Sequence, residues 1–195
     1  MVVDVFDFVR TLRFSSLSKI HMQRFLVLLM FISVGSLTWV KAQECSLSTT
    51  VVLVRHAEKA LDQGNDPELT EAGKVRATRL ASYLDNADVA GLYATQFKRT
   101  QATLLDLSTK RNLPVQVMEV LPSNWNTFSE VLSRHIQAHY CGKTVAVAHH
   151  SNTIPQIINT WVGTQMKDID DADYENIFIL TLHPSNTASL IRARF

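Results

Sequence analysis

Two arginines and three histidines stand where apolar runs of this chain end. Arg55 and His56 close the run "VVLV", Arg99 follows "VAGLYAT" by a few residues, and His149 and His150 close "TVAVA". Arginine presents a planar fork of donors that matches phosphate oxygens and keeps its charge at any relevant pH. A neutral imidazole can attack phosphorus, and a second, protonated one can neutralise the equatorial oxygens as charge redistributes in the transition state. The set therefore points to phosphoryl transfer through a phosphorylated histidine. No "GxxxxGK[ST]" loop and no acidic cluster suited to magnesium is present, so neither a metal nor a cofactor is expected.

These side chains need elements that bring them together. From residue 51 onwards, short apolar runs alternate with amphipathic stretches, which predicts an α/β fold in three layers, with a mainly parallel central sheet flanked by helices. In such sheets ligands bind at the carboxyl ends of the strands, where all five residues fall. The first strand covers 51–55. A polar loop leads to a helix with Thr70 as N-cap and Val75, Leu80 and Leu84 on one stripe. The strand "VAGLYAT", a helix over "QFKRTQATLLDLSTKRN" and a strand "LPVQVMEV" follow. Residues 126–139 read as a helix and "GKTVAVAHH" as a strand. "NTIPQIINTWVG" opens a helix with Pro155 near its first turn and Gly163 at its end, and two strands around Pro-Ser-Asn complete the chain.

Composition bounds the rest. With 195 residues, 46% hydrophobic and 19% charged, the chain fits one globular domain with an appendage. The appendage is residues 1–42. "RFLVLLMFISVGSLTWV" has one positive residue, an apolar stretch and, at Val40 and Ala42, the small residues of a cleavage site, so it reads as a secretory signal peptide. Its apolar stretch, Phe25 to Val40, is interrupted by Ser33, Gly35, Ser36 and Thr38 and falls short of the roughly 20 residues that span a bilayer. Met22 makes a better initiator than Met1, because residues 1–21 would lengthen the n-region and add Asp4 and Asp7. The expected domain is 43–195, secreted and periplasmic, without a membrane span after cleavage. Removal of 1–42, which carry five basic and two acidic residues, turns the formal charge from +1 to about −2. That balance excludes an electrostatic case for nucleic acid. Cys45 and Cys141 each precede an apolar strand, and they can bridge if those strands are parallel neighbours.

Plainer readings apply to several residues. His135 and His139 have the spacing of helix-borne metal ligands, but "HIQAH" lacks the glutamate of the metalloprotease motif and a third ligand. "IRARF" alternates as a half-exposed edge strand does. Trp125 and Trp161 read as core or pocket wall.

"LVRHAEK", "LTEAG", "YATQFKRTQAT" and "VAHHSNTIP" together resemble the four ordered signatures of the histidine phosphatase superfamily, which includes cofactor-dependent phosphoglycerate mutases. The resemblance covers nearly all of residues 50–183 and implies a phosphoglycerate mutase-like fold, in a compact, exported branch. It implies His56 as nucleophile, Arg55 and Arg99 as phosphate ligands, and His150 as the second histidine, since the family's residue precedes a small residue and then Asn. His149 stands where the family usually has glycine or alanine and is assigned to pocket lining or packing. Asn152 is implied as a phosphate ligand. For the general acid the resemblance implies a glutamate after the second arginine; Glu119 is the nearest, Asp66 is another candidate, and some small members have no dedicated acid. Glu58 is assigned an orienting role.

The resulting expectation is a phosphatase that hydrolyses phosphomonoesters through His56, on a phosphorylated small molecule or a cell-envelope substrate. A binding module that holds a phosphorylated ligand without turnover, and a phosphomutase, stay open as alternatives. Sequence leaves the oligomeric state open.

Overall fold

The computed structural model describes residues 46–185 and 187–195. The signal-peptide reading of 1–42, the Met22 start, the cleavage after Ala42, Cys45 and the last residue of the Pro-Ser-Asn turn lie outside the described residues. Cys141 is disulfide-bonded, and no cysteine among the described residues is free.

Among the described residues six strands form one sheet in the order β3-β2-β4-β1-β5-β6. They are β1 (Thr49–Arg55), β2 (Val89–Ala94), β3 (Val115–Val117), β4 (Thr144–His149), β5 (Asn176–Leu182) and β6 (Ala188–Arg194). The pairs β1 with β4, β4 with β2, and β2 with β3 are parallel, whereas β5 runs antiparallel to both its neighbours. The sheet is thus mixed, with β5 alone reversed. The helices are α1 (Glu71–Tyr83), α2 (Lys98–Thr103), α3 (Leu105–Arg111), α4 (Phe128–His139) and α5 (Thr153–Val162).

The central strands are apolar on both faces because both faces are covered. Val51 and Leu53 of β1 pack with Phe128, Leu132 and Ile136 of α4 and Ile154, Ile157 and Ile158 of α5. Val52 and Val54 turn the other way, onto Leu80, Ala81 and Leu84 around α1 and onto Leu104 and Leu107 around α3. The result is the three-layer arrangement read from the alternating pattern.

Local signals hold at two helix ends. The Thr70 hydroxyl accepts from the Gly73 amide at 3.1 Å and caps α1. α5 ends at Gly163 in the left-handed region, φ 76°. Three expectations need correction. Val75 is 62% exposed, so the buried stripe of α1 runs instead through Gly73, Ala77, Leu80 and Ala81. The single helix expected over "QFKRTQATLLDLSTKRN" breaks at Leu104, whose buried side chain belongs to the core. The strand expected over "LPVQVMEV" is reduced to Val115–Val117, which pairs only with β2 at the sheet edge. β6 forms the other edge, half-exposed as "IRARF" suggests.

Candidate active site

β2, β4 and β1 lie side by side and parallel, so the residues after their carboxyl ends emerge along one edge of the sheet. Thr95 follows β2, His150 follows β4 and His56 follows β1. The β1–β4 ladder continues one step past the strands, where the His56 amide donates to the His149 carbonyl at 2.8 Å. A rigid ladder therefore sets the backbone of the candidate nucleophile.

A cavity of about 440 Å³ opens at this edge, with Arg55, His56, Arg99, His150 and Asn152 on its wall, beside Lys59, Trp125, Asp168 and Asp171. The structure thus brings together five of the six residues assigned to the site. Glu119 is exposed and lies off this wall. His149 lies off it too. Its ring is buried, stacked on Phe128 at 5.8 Å between centroids, with Nδ1 3.0 Å from the Thr153 hydroxyl.

His56 is 4% exposed, and its Nδ1 sits 2.8 Å from the Ala57 carbonyl oxygen. A carbonyl only accepts, so Nδ1 carries the hydrogen and Nε2 keeps its lone pair. Burial, aided by the positive charges of Arg55, Arg99 and Lys59 and opposed by the Ala57 hydrogen bond, lowers the His56 pKa to about 4. The imidazole is neutral at physiological pH.

His150 meets His56 edge-on, with ring centroids 5.4 Å apart. Its Nε2 lies 2.9 Å from the Thr95 hydroxyl, which lies 2.9 Å from that of Thr100. Thr100 is within reach of two carbonyls, those of Phe97 at 2.8 Å and Thr95 at 3.2 Å. Its single proton goes to a carbonyl, so its oxygen accepts from Thr95, and Thr95 in turn accepts from Nε2–H of His150. Burial first, then the charge of Arg99, push the His150 pKa down to about 2. Burial and the arginines thus favour the neutral form of His150, where the sequence expectation is a protonated second histidine. A bound dianion supplies the compensating charge.

The arginines are held before any ligand arrives. Arg55 Nη1 donates to the carbonyls of Asp170 at 2.8 Å, Asp171 at 3.1 Å and Asp173 at 3.4 Å, and Nη2 meets the Asp171 carboxylate at 3.2 Å. The guanidinium also covers the Tyr174 ring at 4.2 Å. Arg99 lies over Phe97 at 4.4 Å and 3.8 Å from Asp66. Both keep a buried Nε–H that no group among the described residues accepts. Such unsatisfied donors suit an anion site.

Two of the other acidic candidates are engaged elsewhere. Asp66 accepts from the Lys98 amide at 2.9 Å and so caps α2, whose own N-cap, Phe97, has no side-chain acceptor. Glu58 holds Arg76 through both its oxygens at 2.8–3.0 Å. Burial would raise the Glu58 pKa, but the Arg76 hydrogen bonds and charge outweigh it and keep the carboxyl below its usual range. Glu58 thus fastens the segment after His56 to α1.

Sequence reading missed several supporting residues. The Thr103 hydroxyl accepts from the Ala57 amide at 2.9 Å and donates to the Arg99 carbonyl at 2.7 Å, which links the nucleophile's loop to α2. Thr103 closes "FKRTQAT", so position gave a hint. Thr95 lies in the same signature, "YATQFKRTQAT", and had the same hint, whereas Asp168 had none. His135 and His139 stack at 4.2 Å on α4, and among the described residues no group of three potential ligands surrounds a metal position.

Known proteins resemble this chain in one segment and in its fold. Residues 51–124 match the histidine phosphatase superfamily, branch 1. That segment holds Arg55, His56 and Arg99 and stops before His150, whose assignment rests on the cavity. Phosphoserine phosphatase 1 of Hydrogenobacter thermophilus is 34% identical over 86 residues, 39% of this chain. The match spans only 41% of that relative's length. Two solved structures share the fold at low identity. The protein histidine phosphatase SixA complexed with tungstate superposes with a TM-score of 0.56 at 20% identity, over 74% of this chain and 96% of that one. Phosphoglycerate mutase from Bacillus anthracis str. Sterne gives 0.61 at 13% identity, over 77% and 94%. Signature residues gathered on one cavity, a matching segment and a shared fold lead to one likeness: residues 51–124 are similar to the histidine phosphatase superfamily, branch 1, and the chain shares the fold of the two solved structures.

Proposed function

We propose that the protein is an exported phosphatase that hydrolyses phosphomonoesters through a phosphohistidine on His56. The observation that carries this reading is the state of that imidazole. It is buried and neutral, with its hydrogen on Nδ1 and its Nε2 lone pair free, on a wall shared with Arg55, Arg99 and His150. In the proposed reaction the arginines and Asn152 hold the non-bridging oxygens, and Nε2 attacks phosphorus in line with the leaving oxygen. Water then displaces His56 from phosphorus. The family match over residues 51–124 and a phosphatase among the similar proteins support the reading. Export rests on the signal-like residues 24–42, and among the described residues no helix is long and apolar enough to cross a membrane. The proposed substrates are phosphorylated small molecules or cell-envelope phosphates.

The test is phosphate release from para-nitrophenyl phosphate, with chelator present, by the wild type and by His56→Ala. Activity that resists the chelator and is lost in the variant is expected. A folded His56→Ala protein that hydrolyses the ester at the wild-type rate would overturn the reading. N-terminal sequencing of the exported protein is expected to start at Gln43, and a start at Met1 would remove the export proposal.

A further inference from the structure

A phosphatase that acts on alkyl esters needs a group to protonate a poor leaving oxygen. Glu119 is off the wall, and Asp66, Glu58 and Asp171 are engaged with α2 and Arg99, with Arg76, and with Arg55. Asp168 is different. It lines the phosphate cavity and also, with Trp125 and Asn152, an adjoining groove of about 560 Å³. Among the described residues, no hydrogen bond or ion pair engages its carboxylate.

The backbone on either side of Asp168 is fixed. The buried Ile169 donates its amide to the Ser151 carbonyl at 3.0 Å, next to His150. On the other side the Asn159 amide group clasps Met166, accepting from its N–H at 2.6 Å and donating to its carbonyl at 2.9 Å. The segment is a strap tied at both ends, and Asp168 sits where phosphate cavity and groove meet.

We propose that Asp168 is the general acid and base of the reaction, that the groove seats the alcohol portion of the substrate, and that the protein accordingly takes alkyl phosphomonoesters. This rests on the phosphatase reading above. As Nε2 of His56 bonds to phosphorus, the bond from phosphorus to the leaving oxygen breaks. The electron pair stays on that oxygen, which takes the Asp168 proton and departs as the alcohol. The carboxylate then accepts a proton from water as the water oxygen bonds to phosphorus. The phosphorus–nitrogen bond breaks, its electron pair returns to Nε2, and hydrogen phosphate leaves.

The experiment compares kcat/KM for ethyl phosphate and for para-nitrophenyl phosphate, whose leaving group needs little protonation, in wild type, Asp168→Asn, Asp168→Glu and Glu119→Gln. General acid catalysis contributes about 10²–10⁴-fold. The ethyl-to-aryl ratio is expected to fall by roughly 100-fold in Asp168→Asn and to recover in part in Asp168→Glu. A ratio unchanged in Asp168→Asn, or one that falls in Glu119→Gln instead, overturns the proposal while leaving the phosphatase reading intact. Loss of aryl activity from the wild type removes that reading, and this proposal with it.

Discussion

Acid should unfold this protein through its buried histidines, and His149 is the place to isolate the effect. Its ring is 1% exposed, and burial lowers its pKa from 6.5 to about 3. The native ring stays neutral while the unfolded chain takes up a proton, so stability falls as pH drops below 6.5 and keeps falling towards 3. At 1.36 kcal/mol per pH unit, this one residue removes about 2 kcal/mol by pH 5. His56 and His150, lowered to about 4 and about 2, act in the same direction. The three together remove about 6 kcal/mol from a native stability of about 5–15 kcal/mol. His149→Phe keeps a ring stacked on Phe128 and removes one titration. It also loses the hydrogen bond to Thr153, about 1 kcal/mol. Urea unfolding in phosphate-free buffer should find the variant about 1 kcal/mol less stable at pH 7.5 and about 1 kcal/mol more stable at pH 5. The window stays above the carboxylate range, so acidic residues do not confuse the comparison. Stability curves of wild type and variant that run parallel from pH 7.5 to 5 would refute the reasoning.

Three further perturbations address the supports of the site. A Cβ on Gly73 would run into the Glu58 carbonyl oxygen, so Gly73→Ala should lower stability by about 2 kcal/mol and reduce kcat, measured by thermal melts and steady-state assay. Thr103→Val leaves the buried Ala57 amide without its acceptor; urea titration should show a loss of about 1–3 kcal/mol, and kcat should fall. Thr95→Val removes the acceptor that holds His150 Nε2–H, so kcat for para-nitrophenyl phosphate should fall by about tenfold or more, while Thr95→Ser retains most of it.

Much of this molecule is legible before any coordinates. The apolar runs ending in Arg55 and His149 identify buried parallel strands, and the fold then brings their ends together, since β1 and β4 are neighbours in register from Thr50 with Thr144 to Arg55 with His149. The same pairing meets the condition set for a bridge from Cys141. What resists reading is what depends on tertiary partners. Leu104 breaks a helix whose periodicity looks continuous because its core position is fixed by β-strands far away in sequence. Asp66 looks like a free loop carboxylate, yet it caps a helix that begins 32 residues later. Asp168 has no local pattern at all, because only the folded strap from Met166 to Ile169 carries it to the cavity.

The turn from Asp170 to Asp173 has a consequence for how an anion is met. A free arginine side chain gives up about 2 kcal/mol of rotamer entropy when it is fixed on a ligand. Arg55, held by three carbonyls and the Tyr174 ring, has given up that freedom on folding, so an incoming phosphate finds a donor already aimed. Asp171 adds selectivity, since its carboxylate competes for Nη2. A singly charged anion gains little by displacing it, whereas a dianion that reaches Arg99 as well gains from both guanidinium groups. On the proposed phosphatase reading, the turn would act as a threshold on ligand charge.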